Sequence, residues 1–345
     1  MNRIIKTILY ACVLTACACT KDIPYTGKGS NPMIVINCMA RAGRPLDIFV
    51  SRSRFFLDSD EGTSKLSDAS VTVTVNSVSM TPDFDEDKEC FTDWRIVSPG
   101  DTVTVTASHP MFGTATSTSI VPAPSRIALE KSAYKKFSQP SHSTVALADS
   151  VWSLSVSITP ETEGLHYYRL TVFPEQFMFS QADNSLIAIF PCRFTESQST
   201  RMTLGLIDQE SILEGDDEAH FYYGSSTYVF TDEMLNKDDL LTFEVAIDRP
   251  LGETILGDIS ADGSEIEYNW ETEVDHTIEY RCMFILETIS EDTYRYVESA
   301  HQYQETGWSI FTEPVLVLSN INGGLGVLGS SASTESMPIT RITFE

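Results

Sequence analysis

The chain has 345 residues, 42% of them hydrophobic, with 23 basic against 49 acidic side chains and a formal charge of −26. The apolar content is that of a globular protein and excludes wholesale disorder. The charge excludes nucleic-acid binding, because such a surface repels phosphate backbones and anionic headgroups at long range.

Residues 1–16 read as a lipoprotein signal peptide. Arg3 and Lys6 give a basic start, and Ile8 to Ala16 is an apolar run too short to span a bilayer as a helix. The run ends in Leu14-Thr15-Ala16-Cys17, small residues before a cysteine whose thiol is acylated and which becomes the new N-terminus. The signal rule selects Cys17 for the lipid; Cys19 is the alternative. Neither has Asp immediately after it, so inner-membrane retention is not signalled. Residues 17–32 are polar and rich in Gly, Pro, Ser and Lys, as a tether between lipid and fold would be. No later stretch is long and apolar enough for a transmembrane helix.

Residues 33–124 read as an immunoglobulin-like β-sandwich. Met33 to Cys38 is a near-continuous apolar strand and Leu46 to Ser51 alternates loosely. Ser70 to Val75 and Thr102 to Thr106 alternate strictly, apolar inward and hydroxyl outward. Ser98-Pro99-Gly100-Asp101 is a turn, and Ala115 to Val121 is a last Thr/Ser-rich strand before Pro122 and Pro124. Two acidic loops interrupt the strands. Asp58 and Asp60 in one, and Asp83 and Asp85 in the other, place carboxylates at alternate positions, which can converge on calcium. Neither loop has the twelve-residue calcium pattern, and solvated acidic loops are the stronger reading.

Residues 125–345 read as a larger, mostly antiparallel β domain with one or two short helices. Ser132 to Asp149 is polar and Ser-rich, predicting a long loop. Strands are predicted at Trp152 to Ile158, Tyr167 to Val172, Leu186 to Phe190, Leu241 to Ile247, Ile266 to Trp270 and Thr277 to Leu286. Asp262-Gly263 is a hairpin turn signal. Thr231 to Asn236 predicts a helical turn. Glu291 to Gln304 predicts the main helix, with Ser290 as its N-cap, Gly307 beyond its end, and Tyr296, Val297, Ala300 and Tyr303 as its buried stripe. Asn322-Gly323 between apolar runs signals a hairpin, and Gly324, Gly326 and Gly329 give freedom or allow close approach.

Four cysteines, Cys38, Cys90, Cys192 and Cys282, remain in the body, none in a CxxC pair that would suggest zinc. Cys38 and Cys282 lie in apolar runs as small core residues, and Cys38–Cys90 is a pairing that an oxidising compartment would permit. No HExxH, GxSxG or phosphate-binding loop is present. Gly329-Ser330-Ser331 reads as a loop rather than a nucleophile turn. Phe55, Phe56, Phe177, Phe179, Tyr222 and Tyr223 could form a stacking platform, although burial is the commoner fate of aromatics. These residues nominate no catalytic group and no cofactor.

The chain resembles the family of Bacteroidota outer-membrane lipoproteins catalogued as domain of unknown function 4249. The resemblance rests on Cys19-Thr20-Lys21-Asp22-Ile23, the strand Met33 to Asn37, Phe49 to Ser53 with Phe55-Phe56, Ala69 to Val73, Tyr167-Tyr168, and Ser290 to Val297. Its most specific part is Glu313-Pro314-Val315 with Ser319-Asn320-Ile321 and Gly324-Leu325-Gly326. Leu318 and Leu328 depart from it where aromatic residues are expected. The resemblance implies an outer-membrane lipoprotein, anchored through its acylated cysteine with the extracellular face favoured. It further implies a binding or lid subunit beside a TonB-dependent transporter. The family-aligned start selects Cys19, against Cys17 on the signal rule. The alternative is a surface hydrolase acting on glycan or peptide, which requires a concave site with close carboxylates or a Ser/His pair.

Overall fold

The computed structural model describes residues 31–54, 64–136, 150–192, 194–197, 199–200, 205–206, 226–235, 240–247, 255–259, 265–268, 276–307, 316–333 and 340–344. The chain is mainly β, built from several antiparallel sheets with a single α-helix among the described residues.

The first strands are β1 (Ile34–Arg41), β2 (Leu46–Arg52), β3 (Ser70–Val75), β4 (Val78–Met80), β5 (Asp83–Asp85), β6 (Cys90–Asp93), β7 (Thr102–His109) and β8 (Gly113–Ile120). Strict alternation dictates their facing: Val103, Val105 and Ala107 of β7 are fully buried, while Thr104, Thr106 and Ser108 pair their hydroxyls with Thr118, Thr116 and Thr114 of β8 at 2.8–2.9 Å. Strands β4, β3, β7 and β8 form one four-stranded antiparallel sheet. Its buried residues join those of β1 and β2 in one core, including Ile34, Ile36, Ile48, Val71 and Val105.

Next come β9 (Arg126–Lys136), β10 (Ser150–Thr159), β11 (Tyr167–Ser180), β12 (Leu186–Pro191), β13 (Phe194–Glu196), β14 (Gly205–Leu206), β15 (Ser226–Thr231) and β16 (Leu241–Ile247). The loop expected from Ser132 is corrected at its start. Residues 132–136 continue β9, because they pair along β10 as far as Lys136↔Ser150, and the Trp152 indole N–H donates to Ser132 Oγ at 3.0 Å. The remaining strands are β17 (Ile255–Ile259), β18 (Glu265–Tyr268), β19 (His276–Ile289), β20 (Leu325–Ser333) and β21 (Thr340–Phe344). Asp262-Gly263, between β17 and β18, lies outside the described residues.

A second core joins the sheet β13-β16-β10-β9 to the long ladder of β11 and β19. The run TIEYRCMFIL resolves into alternation: Ile278, Tyr280, Cys282, Phe284 and Leu286 are buried, while Glu279, Arg281, Met283 and Ile285 turn to the other face and stay half-buried. Trp152 and Phe243 of the facing sheet pack against them together with Tyr228 of β15, with Phe243 5.5 Å from Phe284 and 5.7 Å from Tyr228 between ring centres.

The helix α1 (Glu291–Gly307) starts where predicted and runs through Gly307 rather than stopping before it. Ser290 caps it, its Oγ accepting the Thr293 N–H at 3.3 Å. Val297 and Ala300 are buried as expected, but Tyr303 is half exposed, and Thr293 and Ser299 take the remaining buried positions. The turn at Thr231 is a single 3-10 turn, Asp232–Met234.

The dominant topological feature is β20. The large sheet runs β14-β15-β11-β19-β20-β1-β2-β6-β5, so the late strand β20 lies between β19 and β1 and is parallel to β1. The loop reading of Gly329-Ser330-Ser331 is therefore corrected: these residues are central strand, with Ser330 and Ser331 at 0% and 2% exposure. Serine content hid a strand whose hydroxyls are used inside, Ser330 Oγ donating to Ile120 O at 2.7 Å. Glycine permits this packing. Gly326 has φ +98°, and a Cβ there would fall on the carbonyl oxygen of Ile36 in β1.

The hairpin expected at Asn322-Gly323 is also corrected. The turn exists, with Gly323 at φ +79°, but Asn322 pairs with Thr116 of β8 through N–H···O bonds of 2.8 and 3.0 Å. In place of a preceding strand, the Asn320 carboxamide clamps Leu328, accepting its N–H at 2.9 Å and donating to its carbonyl at 2.9 Å. The same NH₂ group donates to Asp292 on the first turn of α1 at 3.1 Å.

Candidate functional site

The face of the large sheet turned away from the second core is polar and half-buried. Register fixes which side chains share it. Arg169 of β11 stands opposite Glu287 of β19, and Glu287 stands opposite Ser333 of β20. One row along, Thr227, Thr171 and Ile285 line up across β15, β11 and β19. Arg41 at the end of β1 is level with Ser331, and the chain then turns through Ala42 and Gly43 to Arg44, whose N–H donates to Arg41 O at 3.1 Å.

These rows enclose a groove of about 280 Å³, completed by Phe173. Its floor is apolar at Phe173 and Ile285, and its walls carry three arginines, one glutamate and four hydroxyls. Arg169 is spent on structure: its side chain is 18% exposed and its guanidinium ion-pairs with Glu287, itself 12% exposed. Glu287 also accepts the Ser331 hydroxyl at 3.1 Å, and Thr171 shares a 3.2 Å hydrogen bond with Thr227. Arg44 is exposed at the rim, and no described residue partners its guanidinium. The walls thus hold more positive than negative charge in a chain whose total is −26. A polar rim over an apolar floor on rigid strands suits reversible binding of a small molecule.

Residues 20–337 match the family described as Domain of unknown function (DUF4249). The chain belongs to the DUF4249 family. No curated protein and no solved structure matches it.

The groove of this DUF4249 chain was not nominated by its sequence. Arg169 stands out as a cation inside an apolar strand, but Glu287 lies 118 positions away, so nothing local announces the pair. Among the described residues, those that the sequence did nominate lie elsewhere. Cys17, Cys19, Asp58 and Asp60 fall outside the described residues, as do Phe55, Phe56, Tyr222 and Tyr223. Asp83 and Asp85 sit on the short strand β5, where Asp85 Oδ1 accepts the N–H groups of Asp87 and Lys88 at 3.0 and 3.1 Å. No group of three or more His, Cys, Asp or Glu side chains suited to a metal occurs among the described residues.

Phe177 and Phe179 of the DUF4249 chain share one face of β11, stacked beneath Arg281, whose guanidinium carbon lies 4.0 Å from the Phe177 ring centre. Ile189 and Leu186 of β12 pair with them and are about half exposed. The Cys38–Cys90 bridge that an oxidising compartment would permit is not formed: Cys38, Cys90, Cys192 and Cys282 are all buried thiols outside any disulfide. Burial pushes the Cys38 thiol up to about 12 and raises Cys282 further, so both stay protonated and inert.

One histidine cluster has a geometry of chemical interest. His166 Nδ1–H donates to Asp232 Oδ2 at 2.8 Å, and Nε2 lies 2.8 Å from Thr162 Oγ1. Asp232 Oδ2 also accepts the His166 backbone N–H at 3.1 Å, and the Asp232 N–H returns a bond to His166 O at 3.1 Å. The trio therefore closes the loop ahead of β11 onto the 3-10 turn.

Proposed function

We propose that this protein is a lipid-anchored outer-membrane accessory protein of the Bacteroidota type. It would act on the extracellular face as a binding or lid subunit of a TonB-dependent transporter in nutrient capture. The observation that carries the reading is the groove at Arg41, Arg44 and Phe173: a preformed concavity on rigid strands, sized for a small solute. The leader ending in Cys17, with Cys19 two residues on, supplies the anchor that holds such a groove at a membrane. Membrane lipid and the transporter are then its partners. Co-purification from detergent-solubilised outer membranes tests the proposal. A β-barrel partner retained through washing is expected; recovery of this lipoprotein alone overturns it. Mass spectrometry of the mature N-terminus decides between Cys17 and Cys19.

A second reading, a surface hydrolase for glycan or peptide, draws on Thr162, His166 and Asp232, whose hydrogen bonds follow the order of a nucleophile, base and orienting acid. The doubled backbone bonds between His166 and Asp232 favour a structural clamp instead. Turnover of peptide, ester or glycan substrates that His166→Ala abolishes would establish the hydrolase; absence of turnover removes it.

A further inference from the structure

We infer that the open edge formed by β4, β5 and the chain after β6 is a docking surface for an extended basic and apolar segment of a partner protein. The surface deepens the accessory reading and rests on it for the partner's identity, although its chemistry stands alone. Strands β4 and β5 lie at the edges of their sheets, and among the described residues each pairs on one side only. Arg95 ties the chain after β6 to this edge, its guanidinium donating to Val78 O of β4 at 2.7 Å and to Val73 O of β3 at 3.0 Å. Around the tie four large apolar side chains stand in solvent: Trp94 is 69% exposed, Val78 61%, Ile96 57% and Met80 49%. Met80 is level with Val73, which is fully buried, so β4 carries core-facing residues past the edge of the core. Exposed apolar side chains gathered in this way, with a tryptophan among them, mark an interaction surface.

The charge beside the patch selects the occupant. Strand β5 pairs antiparallel with β6, and Asp83 stands opposite Thr92, two residues before Trp94. From Asp83 to Glu89 the chain carries five acids against Lys88. No described residue pairs with the carboxylates of Asp83, Glu86 and Asp87. Arg44, whose carbonyl accepts the Val97 N–H at 3.5 Å, is one opposing charge against these three. Lys88 ion-pairs with Asp47, and its ammonium lies 5.1 Å from the Trp94 ring centre, so the ring already receives a cation. Acids beside apolar side chains attract a segment that carries arginine or lysine beside its own apolar residues. An extended strand presents the two kinds alternately, and the open edges of β4 and β5 offer it backbone pairing. A second copy of this chain does not fit, since each copy carries −26 and brings the same acids. Anionic lipid is repelled likewise. Val97 bonds Gly43 beyond the far end of β1, about 25 Å from residue 33 where the tether joins, so the anchor does not press this surface onto lipid.

Fluorescence anisotropy of labelled peptides of about ten residues, the length of a strand, tests the assignment on the full chain. The probes are leucine alternating with arginine, serine alternating with arginine, and leucine alternating with glutamate. The leucine–arginine peptide is expected to bind saturably and each of the others about tenfold or more weakly, since one lacks the apolar anchor and the other the charge. Trp94→Ala, at an exposed position whose loss leaves the fold intact, is expected to weaken that binding about tenfold or more, and Ile96→Ser to weaken it in the same direction. Asp83→Asn with Glu86→Gln and Asp87→Asn is expected to weaken it as well and to flatten its dependence on salt. Binding of either control peptide as tightly as the leucine–arginine peptide, or no saturable binding, overturns the assignment. Binding unchanged by both Trp94→Ala and Ile96→Ser, or unchanged by the charge variant, also overturns it. A dimer in sedimentation that Trp94→Ala dissolves, or uptake on anionic vesicles that it abolishes, overturns it too, because the surface would then belong to a second copy or to lipid. Co-purification with a transporter is scored separately. A retained β-barrel beside an unresponsive patch refutes the docking surface and leaves the accessory role standing; a responsive patch with no barrel does the reverse.

Discussion

Asn320 offers the sharpest test of how this fold is held. Between Leu325 and Ser330, β20 has β1 on one side and no strand of β19 on the other, since β19 pairs only with residues 331–333. The Asn320 carboxamide fills that gap by bonding both the N–H and the carbonyl of Leu328, a residue with 0% exposure. Asn320→Ala strands two buried backbone groups at about 1–3 kcal/mol each. It also removes the bond to Asp292 at the start of α1. Partial entry of water offsets part of this, leaving an expected loss of about 3 kcal/mol. Asn320→Asp keeps an acceptor for the Leu328 N–H but sets a carboxylate against the Leu328 carbonyl and Asp292, so it is expected to be no better than Ala. Urea unfolding followed by tryptophan fluorescence measures both. A change within about 0.5 kcal/mol for Asn320→Ala, the range of ordinary surface substitutions, would refute the clamp.

The Arg169–Glu287 pair and the alkaline limb of stability give two further expectations. Glu287→Ala leaves a partly buried guanidinium without its main partner and is expected to cost about 3 kcal/mol, whereas Arg169→Leu with Glu287→Leu recovers most of it; equal urea midpoints for the wild type and Glu287→Ala would contradict this. Burial pushes the Tyr168 phenol up to about 12 from an ordinary 10.0. Both states hold that proton below pH 10, and only the unfolded chain releases it between about 10 and 12, so stability falls there by about 1.4 kcal/mol per pH unit for this group. The Cys38 thiol, also raised to about 12 from 9.0, adds the same sign from pH 9 upward. Tyr168→Phe should flatten the slope above pH 10 and leave the part below it unchanged; a stability profile that rises with pH would refute the assignment.

Much of the strand content was legible because a half-buried strand writes its facing into a period of two. Ser70–Val75 and Thr102–His109 appear in the structure as their Val/Thr alternation dictates. What stayed hidden needed partners distant in sequence. Ser330 and Ser331 resemble loop residues because their hydroxyls are satisfied by Ile120 and Glu287, which no local pattern names. Asn322-Gly323 carried correct turn chemistry but no record of its partner, Thr116. The groove was hidden for the same reason: Arg41, Arg169 and Glu287 become neighbours only when β1, β11, β19 and β20 lie side by side, and the surplus of 49 acids obscures a small basic focus. The Ser319-Asn320-Ile321 and Gly324-Leu325-Gly326 segments, by contrast, were visible as motifs, and the structure gives them a physical role as clamp and close-approach strand.

The parallel seam between β1 and β20 also governs the order of assembly. During synthesis β1 acquires β2 almost at once, but its other edge waits for residues 325–333. Through that interval the open edge displays unpaired amides beside Ile34 and Ile36, a template for association with another chain. Closing so long a loop is slow, because its entropy is lost before any contact across the seam is gained. A chain cut short before Leu325 would therefore keep a sticky edge permanently open.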